Sequence, residues 1–216
     1  MSKVYTDIFD HDRMKIWQQL HVFSNIGKLG GGTALALQIN HRISYDFDIF
    51  TENPVEKALL KKVSAEFPNS HIRPLIDNSD ELTVEVDGVK LTFLYYPFKG
   101  IVAPVSTKYL PLFRVEDIAA DKAYTVGRRG AWRDYYDIYS VLNKEIMSLK
   151  DIVTFAKQKF GSLFNEKLFL EQLTYYDDIT DFSIETTQGT AVSLVEVQSI
   201  LRAFVKAYLG QTLVSK

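Results

Sequence analysis

Apolar and polar residues alternate with a period of two in one stretch of the chain and recur at helical spacing over most of the rest. Leu82-Thr83-Val84-Glu85-Val86 and Val89-Lys90-Leu91-Thr92-Phe93-Leu94-Tyr95 alternate about Asp87-Gly88, a dipeptide that suits a two-residue hairpin turn. That spacing puts Val84, Val86, Val89, Leu91 and Phe93 on one face and Glu85, Lys90 and Thr92 on the other. Ile8, Met14, Ile16, Trp17, Leu20, Val22 and Phe23 predict a helix over residues 9–26. Pro54 opens a second predicted helix, 55–67, which Pro68-Asn69-Ser70 ends. Residues 97–112 read as loop or short strand. From Arg114 onward the pattern is almost all helix: 115–128, 132–143, 149–160, 163–173 and 193–209, with the polar stretch 177–189 as a loop. The expected fold class is therefore α+β. A mixed α/β domain with a small mixed sheet (1–105) precedes a helical bundle (106–216).

Composition narrows the classes without choosing a function. A chain of 216 residues, 46% hydrophobic and 24% charged, is long enough for one large domain or two small ones. No apolar run approaches the roughly 20 residues of a membrane span, and Met1 to Asp7 has no signal-like apolar segment. With no cysteine, any metal must be held by oxygen or imidazole ligands. These features fit a cytoplasmic protein with no membrane partner. A net charge of −2 argues against strong nonspecific binding of nucleic acid and leaves room for a local basic patch.

The chemistry concentrates in two places. In the first, Gly30-Gly31-Gly32-Thr33 leads into Ala34-Leu35-Ala36-Leu37-Gln38, the first turns of a helix with Thr33 at its start. Residues without a Cβ let main-chain amides approach an anion, and a helix start adds unpaired N–H groups and a positive dipole end. Shortly after comes Asp46-Phe47-Asp48-Ile49-Phe50. In a strand, Asp46 and Asp48 would lie roughly 6.5–7 Å apart on one side. Two such carboxylates can share Mg²⁺ or Mn²⁺ with phosphate oxygens, the skeleton of metal-assisted phosphoryl or nucleotidyl transfer. The plainer alternative is a glycine turn beside a strand whose aspartates face water.

The second place is 116–139, where Lys122, Arg128, Arg129 and Arg133 gather positive charge and Asp134 and Asp137 follow. Lys122 could meet a triphosphate as a point charge, with Asp134 or Asp137 orienting it. Equally, an Arg133–Asp137 pair, one turn apart, could simply lock the helix hairpin at the turn 127–130.

Taken in order, Gly-Gly-Thr-Ala-Leu-Ala-Leu, His41-Arg42-Ile43-Ser44-Tyr45-Asp46-Phe47-Asp48, the Lys122 helix and Arg133-Asp134-Tyr135-Tyr136-Asp137 resemble the AbiEii/AbiGii-type toxins. These are nucleotidyltransferases of the DNA polymerase β-like superfamily. The resemblance runs from about residue 25 to 145, and Tyr175-Tyr176-Asp177-Asp178 is similar to a later family pattern. It implies a nucleotidyltransferase-like N-terminal domain, a nucleoside triphosphate substrate, a divalent metal, a cognate antitoxin and, in some relatives, the acceptor end of tRNA. Residue by residue, Gly31, Gly32 and Thr33 match the phosphate-binding motif. Asp46 and Asp48 match the metal-binding aspartates, Lys122 the nucleotide-contacting lysine, and Asp134 and Asp137 the acidic helix motif. His41 and Arg42 belong to the pattern without an assigned role.

One departure bears on mechanism. The family usually carries a third acid on the strand after the hairpin turn, and Thr92 stands near that position. A threonine cannot act as a base near neutral pH. Glu85 could substitute, or could pair with Lys90 as cross-strand surface charge. Two further functions follow as alternatives: a nucleotide- or antitoxin-binding protein with little turnover, and a transferase of small molecules.

Overall fold

A computed structural model describes residues 4–126, 128–187, 189 and 192–214. Gly127 of the expected 127–130 turn, Gln188 of the expected loop and Met1 to Lys3 lie outside the described residues. The chain divides into two compact units, Met1–Arg114 and Val115–Lys216.

In the first unit the elements run α1 (His11–Gln19), β1 (Gly27–Leu29), α2 (Gly31–Ile39), β2 (Phe47–Thr51), α3 (Leu59–Glu66), β3 (Ile72–Asp77), β4 (Glu81–Val86) and β5 (Val89–Tyr95). The strands form one mixed sheet in the order β1-β2-β5-β4-β3, with β2 and β5 parallel and the other neighbours antiparallel. The expected hairpin is β4–β5, and Asp87 and Gly88 both take the positive φ that its tight turn requires. Asp10 starts α1 by accepting the Arg13 amide, and the helix tightens into a 3-10 turn at Leu20–Phe23. The sequence reading continued that helix to 26.

Two strands were not foreseen. β1 is three residues long, too short to show alternation, and it is held by β2 on one side and by a bridge from Leu29 to Leu112 on the other. β3 is an edge strand that is exposed along nearly its whole length, so its sequence lacks an apolar face. Pro74 and a register shift between Pro74 and Ile76 blunt that edge against further pairing.

One face of the sheet makes the core. Phe47, Ile49, Leu82, Val84, Val86, Leu91 and Phe93 are fully buried, while Val89, expected to join them, is half-buried. Trp17 stacks on Phe47 with ring centroids 6.3 Å apart, and Phe23 meets Phe93 edge-on at 5.1 Å. Helix α2 is buried on nearly every side, which explains its uniformly apolar sequence. The opposite face carries Asp48, Lys90, Thr92, Thr83, Glu81 and Glu85.

The second unit is helical: α4 (Val115–Val126), α5 (Trp132–Asn143), α6 (Leu149–Phe160), α7 (Glu166–Gln172) and α8 (Leu194–Val214). Ser148 and Asp151 form a reciprocal capping box on α6. The predicted helix 163–173 begins later, because the Asn165 side chain accepts the Leu168 amide and opens α7 at Glu166. Tyr124 stacks on Phe160 at 4.1 Å, joining α4 to α6, and Glu166 takes both Lys157 and the Tyr208 hydroxyl. Among the described residues no helix is long and apolar enough to cross a membrane.

Phe47 fills the contact between sheet and α1, so Phe47→Ala is expected to cost about 3–5 kcal/mol. Denaturant unfolding checks this, and a loss below about 1 kcal/mol would mean that the site collapses around the gap.

Candidate active site

The glycine loop is fixed to the aspartate strand by the main chain. The Gly30 amide donates to the Asp48 carbonyl at 2.9 Å, and Gly30 is the extended N-cap of α2. The helix therefore takes in Gly31 and Gly32, two residues earlier than expected. With glycine as cap, no N-cap side chain occupies the first-turn amides. Gly31 sits at φ +62°, and a Cβ there would stand 2.8 Å from Asp48 Oδ2. The main chain of the loop thus lies against the Asp48 carboxylate.

Gly32 has a different reason. A Cβ there would come within 2.1 Å of Arg42 Nη2. Arg42 is 4% exposed, and its Nη1 donates to the Ile43 carbonyl at 3.0 Å. Its guanidinium lies against the loop, so a cation is built into the wall of the glycine turn. The sequence assigns Arg42 no role; the fold shows what it lies against.

Thr33 is 2% exposed, and its hydroxyl is close to both Ser44 Oγ (2.8 Å) and the Asp46 carbonyl. A hydroxyl has one proton, and the carbonyl can only accept. Thr33 therefore donates to Asp46 and accepts from Ser44, tying the start of α2 to the segment that presents Asp46. Asp46 just precedes β2, and Asp48 lies within it. Both are half-buried and alternate with buried Phe47 and Ile49. Gly31, Gly32, Thr33, Asp46 and Asp48 are thus brought together within the first unit.

Asp48 is the register partner of Thr92 on β5, and Thr92 of Thr83 on β4. Glu85 lies two strands from Asp48 and two residues along, roughly 12 Å between Cα atoms. Its carboxylate binds Arg73 of β3 at 2.7 Å. Glu85 therefore does not complete the acid pair, and its ionic partner is Arg73 although Lys90 is its register neighbour. Among the described residues, no three His, Asp or Glu side chains gather as a metal cage. Two carboxylates on one side still fit a hard divalent ion that completes its shell with water and phosphate oxygens.

The helical unit holds its own cluster. Lys122, 8% exposed, places Nζ 2.5 Å from Asp134 Oδ1 and 2.9 Å from Asp137 Oδ2. Arg129 Nε reaches Asp134 Oδ2 at 3.0 Å from the solvent side. Lys122, Asp134 and Asp137 are thus brought together, but Asp137 turns inward to Lys122 and Arg133 is exposed. The expected Arg133–Asp137 pair gives way to burial; hydrogen bonds from the Ser183 hydroxyl and amide hold Asp181 below its usual carboxylate range, and the charge of Arg133 adds a lesser pull. A second buried lysine, Lys159, lies 2.7 Å from Asp121 and 3.1 Å from Asp117. No sequence pattern singled it out.

Beside these, Tyr135 is fully buried, and among the described residues its hydroxyl has no hydrogen-bond partner. Burial first, and the Asp178 charge second, push its phenol well above the usual value. Burial likewise raises Tyr176 to about 12.

Solved structures share this fold. MenT4, a nucleotidyltransferase toxin of Mycobacterium tuberculosis, superposes with a TM-score of 0.61 at 14% identity, over 89% of this chain and 82% of that one. JHP933 of Helicobacter pylori does so at 0.52 and 16% identity, over 99% and 100%. The fold is that of a nucleotidyltransferase. By sequence, residues 28–188 match the nucleotidyl transferase AbiEii toxins of type IV toxin–antitoxin systems, and the chain belongs to that family. An uncharacterised protein of Aquifex aeolicus is 29% identical over 185 residues, 84% of this chain and 87% of its own.

Two outcomes are expected here. Gly32→Ala should destabilise the first unit in the wild-type background and much less in Arg42→Ala, a coupling of about 0.5–3 kcal/mol in a double-mutant cycle read by denaturation. Additive losses would mean that Arg42 does not set the need for glycine. Lys122→Met leaves two buried carboxylates facing each other and should cost about 3–5 kcal/mol, part of it recovered by adding Asp134→Asn. Denaturation of the single and double variants checks this.

Proposed function

We propose that this chain is a metal-dependent nucleotidyltransferase that moves a nucleotide from a nucleoside triphosphate to an acceptor hydroxyl, as the toxin of a toxin–antitoxin pair. The observation that carries the reading is the Gly31 main chain packed on Asp48, which sets an uncapped helix start beside two carboxylates. The Gly31–Gly32 turn receives phosphate oxygens through main-chain amides, with the Arg42 guanidinium alongside. Asp46 and Asp48 would hold Mg²⁺ or Mn²⁺, which when bound would supply positive charge to offset that of the phosphate oxygens. Thr33 keeps Asp46 in place. In the helical unit, Asp134 and Asp137 orient the Lys122 ammonium, a cation for charge on the nucleotide.

The exposed Arg128 and Arg129 before α5 and Arg133 in its first turn favour a nucleic-acid acceptor such as tRNA over a small molecule. Arg129 is shared with Asp134, so the patch is modest. A second reading, nucleotide or antitoxin binding with little turnover, draws on Thr92 in the row of Asp48, where no acid stands.

Incubation with labelled nucleoside triphosphates, Mg²⁺ and total tRNA separates the two. Transfer is expected, abolished by chelation and reduced at least about 10²-fold by Asp46→Ala or Asp48→Asn. Tight triphosphate binding without label on any acceptor would favour the second reading.

A further inference from the structure

The acceptor hydroxyl must lose a proton as it attacks, and among the described residues the position across from Asp48 on β5 holds Thr92, not a third acid to take it. Thr92 is the cross-strand partner of Asp48, so the two side chains project from the same face of adjacent strands about 4.8 Å apart. Thr92 is 7% exposed and Thr83, its partner on β4, is 1% exposed. Their hydroxyl oxygens are 3.2 Å apart, and Thr83 Oγ1 donates to Glu81 Oε1 at 2.5 Å. Thr83 has a single proton. With that proton on the Glu81 bond, Thr92 must be the donor in the Thr92–Thr83 bond. The hydrogen bonds then run one way, from the row of Asp48 outward to a carboxylate. Glu81 is half-buried and can release a proton to water. Its Cα is also roughly 12 Å from that of Asp48, so it reaches the site only through the two hydroxyls.

We infer that Thr92, Thr83 and Glu81 form a proton relay that stands in for the absent third acid, with Glu81 as the terminal base. The inference rests on the nucleotidyl-transfer reading of the site. As the acceptor oxygen bonds to the α-phosphorus, the bond from that phosphorus to the β-phosphate oxygen breaks and pyrophosphate leaves with the electron pair. In one concerted shift, Thr92 Oγ1 takes the acceptor proton as its own proton moves to Thr83 Oγ1 and the Thr83 proton moves to Glu81 Oε1, so that neither hydroxyl ever acts as a free base. Thr92 touches the acceptor and is the catalytic residue; Thr83 and Glu81 act through it.

The test is the kcat and KM for triphosphate in label transfer to total tRNA, with melting temperature as control. Thr83→Val and Glu81→Gln are expected to lower kcat about 10²-fold with KM unchanged, the usual contribution of a general base. Thr83→Ser keeps the hydroxyl and is expected to keep most of the turnover. Wild-type kcat in Thr83→Val overturns the relay, as does an equal loss in Thr83→Val and Thr83→Ser accompanied by a lowered melting temperature. In either case the transferase reading stands. No transfer by the unchanged chain overturns that reading and the relay with it.

Discussion

The bond from the Gly30 amide to the Asp48 carbonyl sets the geometry of the first unit. It joins the start of α2, which no N-cap side chain covers, to the strand that carries Asp48. Everything nearby answers to that closeness. Gly31 takes a positive φ that strains any other side chain as it turns the chain into the helix, and the Asp48 carboxylate crowds the space a Cβ would fill. Thr33, the third residue of α2, reaches back to the Asp46 carbonyl. The apolar alternation of Phe47 and Ile49, buried under Trp17 and the α2 helix, holds β2 so that Asp46 and Asp48 can only face the other way.

The helical unit is organised by charge as much as by apolar contact. Helix α4 supplies Lys122 on one side and Asp117 and Asp121 on another. Lys122 is shared by Asp134 and Asp137 of α5, and Asp117 and Asp121 share Lys159 of α6. Each buried lysine thus faces two carboxylates. Buried pairs of this kind gain little net stability over apolar packing, because desolvation offsets attraction, but losing one partner is costly. Their effect is to fix the rotation of α4, and with it the direction of the Lys122 ammonium.

Much of this could be read along the chain. The β4–β5 hairpin follows from strict alternation around Asp87-Gly88, and the helical half from its spacing. The chemistry that bare amides and paired carboxylates permit singles out Gly31, Gly32, Asp46 and Asp48 as candidates, and the fold brings them together. Strands β1 and β3 escaped notice, one for its length and the other for its exposure. Arg42 and Glu81 escaped for another reason. Their significance lies in what they touch, the glycine turn and the Thr83 hydroxyl, each distant in sequence or hidden in ordinary alternation.

By itself, then, the sequence determined residue types, periodicity and a family. Periodicity settles which side of a strand or helix is apolar, and glycine followed by an apolar helix settles where an anion could approach. It could not determine pairing. Whether Glu85 served the site depended on the order of strands, which sends its carboxylate to Arg73. Whether Asp137 paired with Arg133 or Lys122 depended on which helix lay against α5. Electrostatic partners are chosen by burial and distance in three dimensions, where a cation one turn away on the surface is outbid by a buried one on a neighbouring helix.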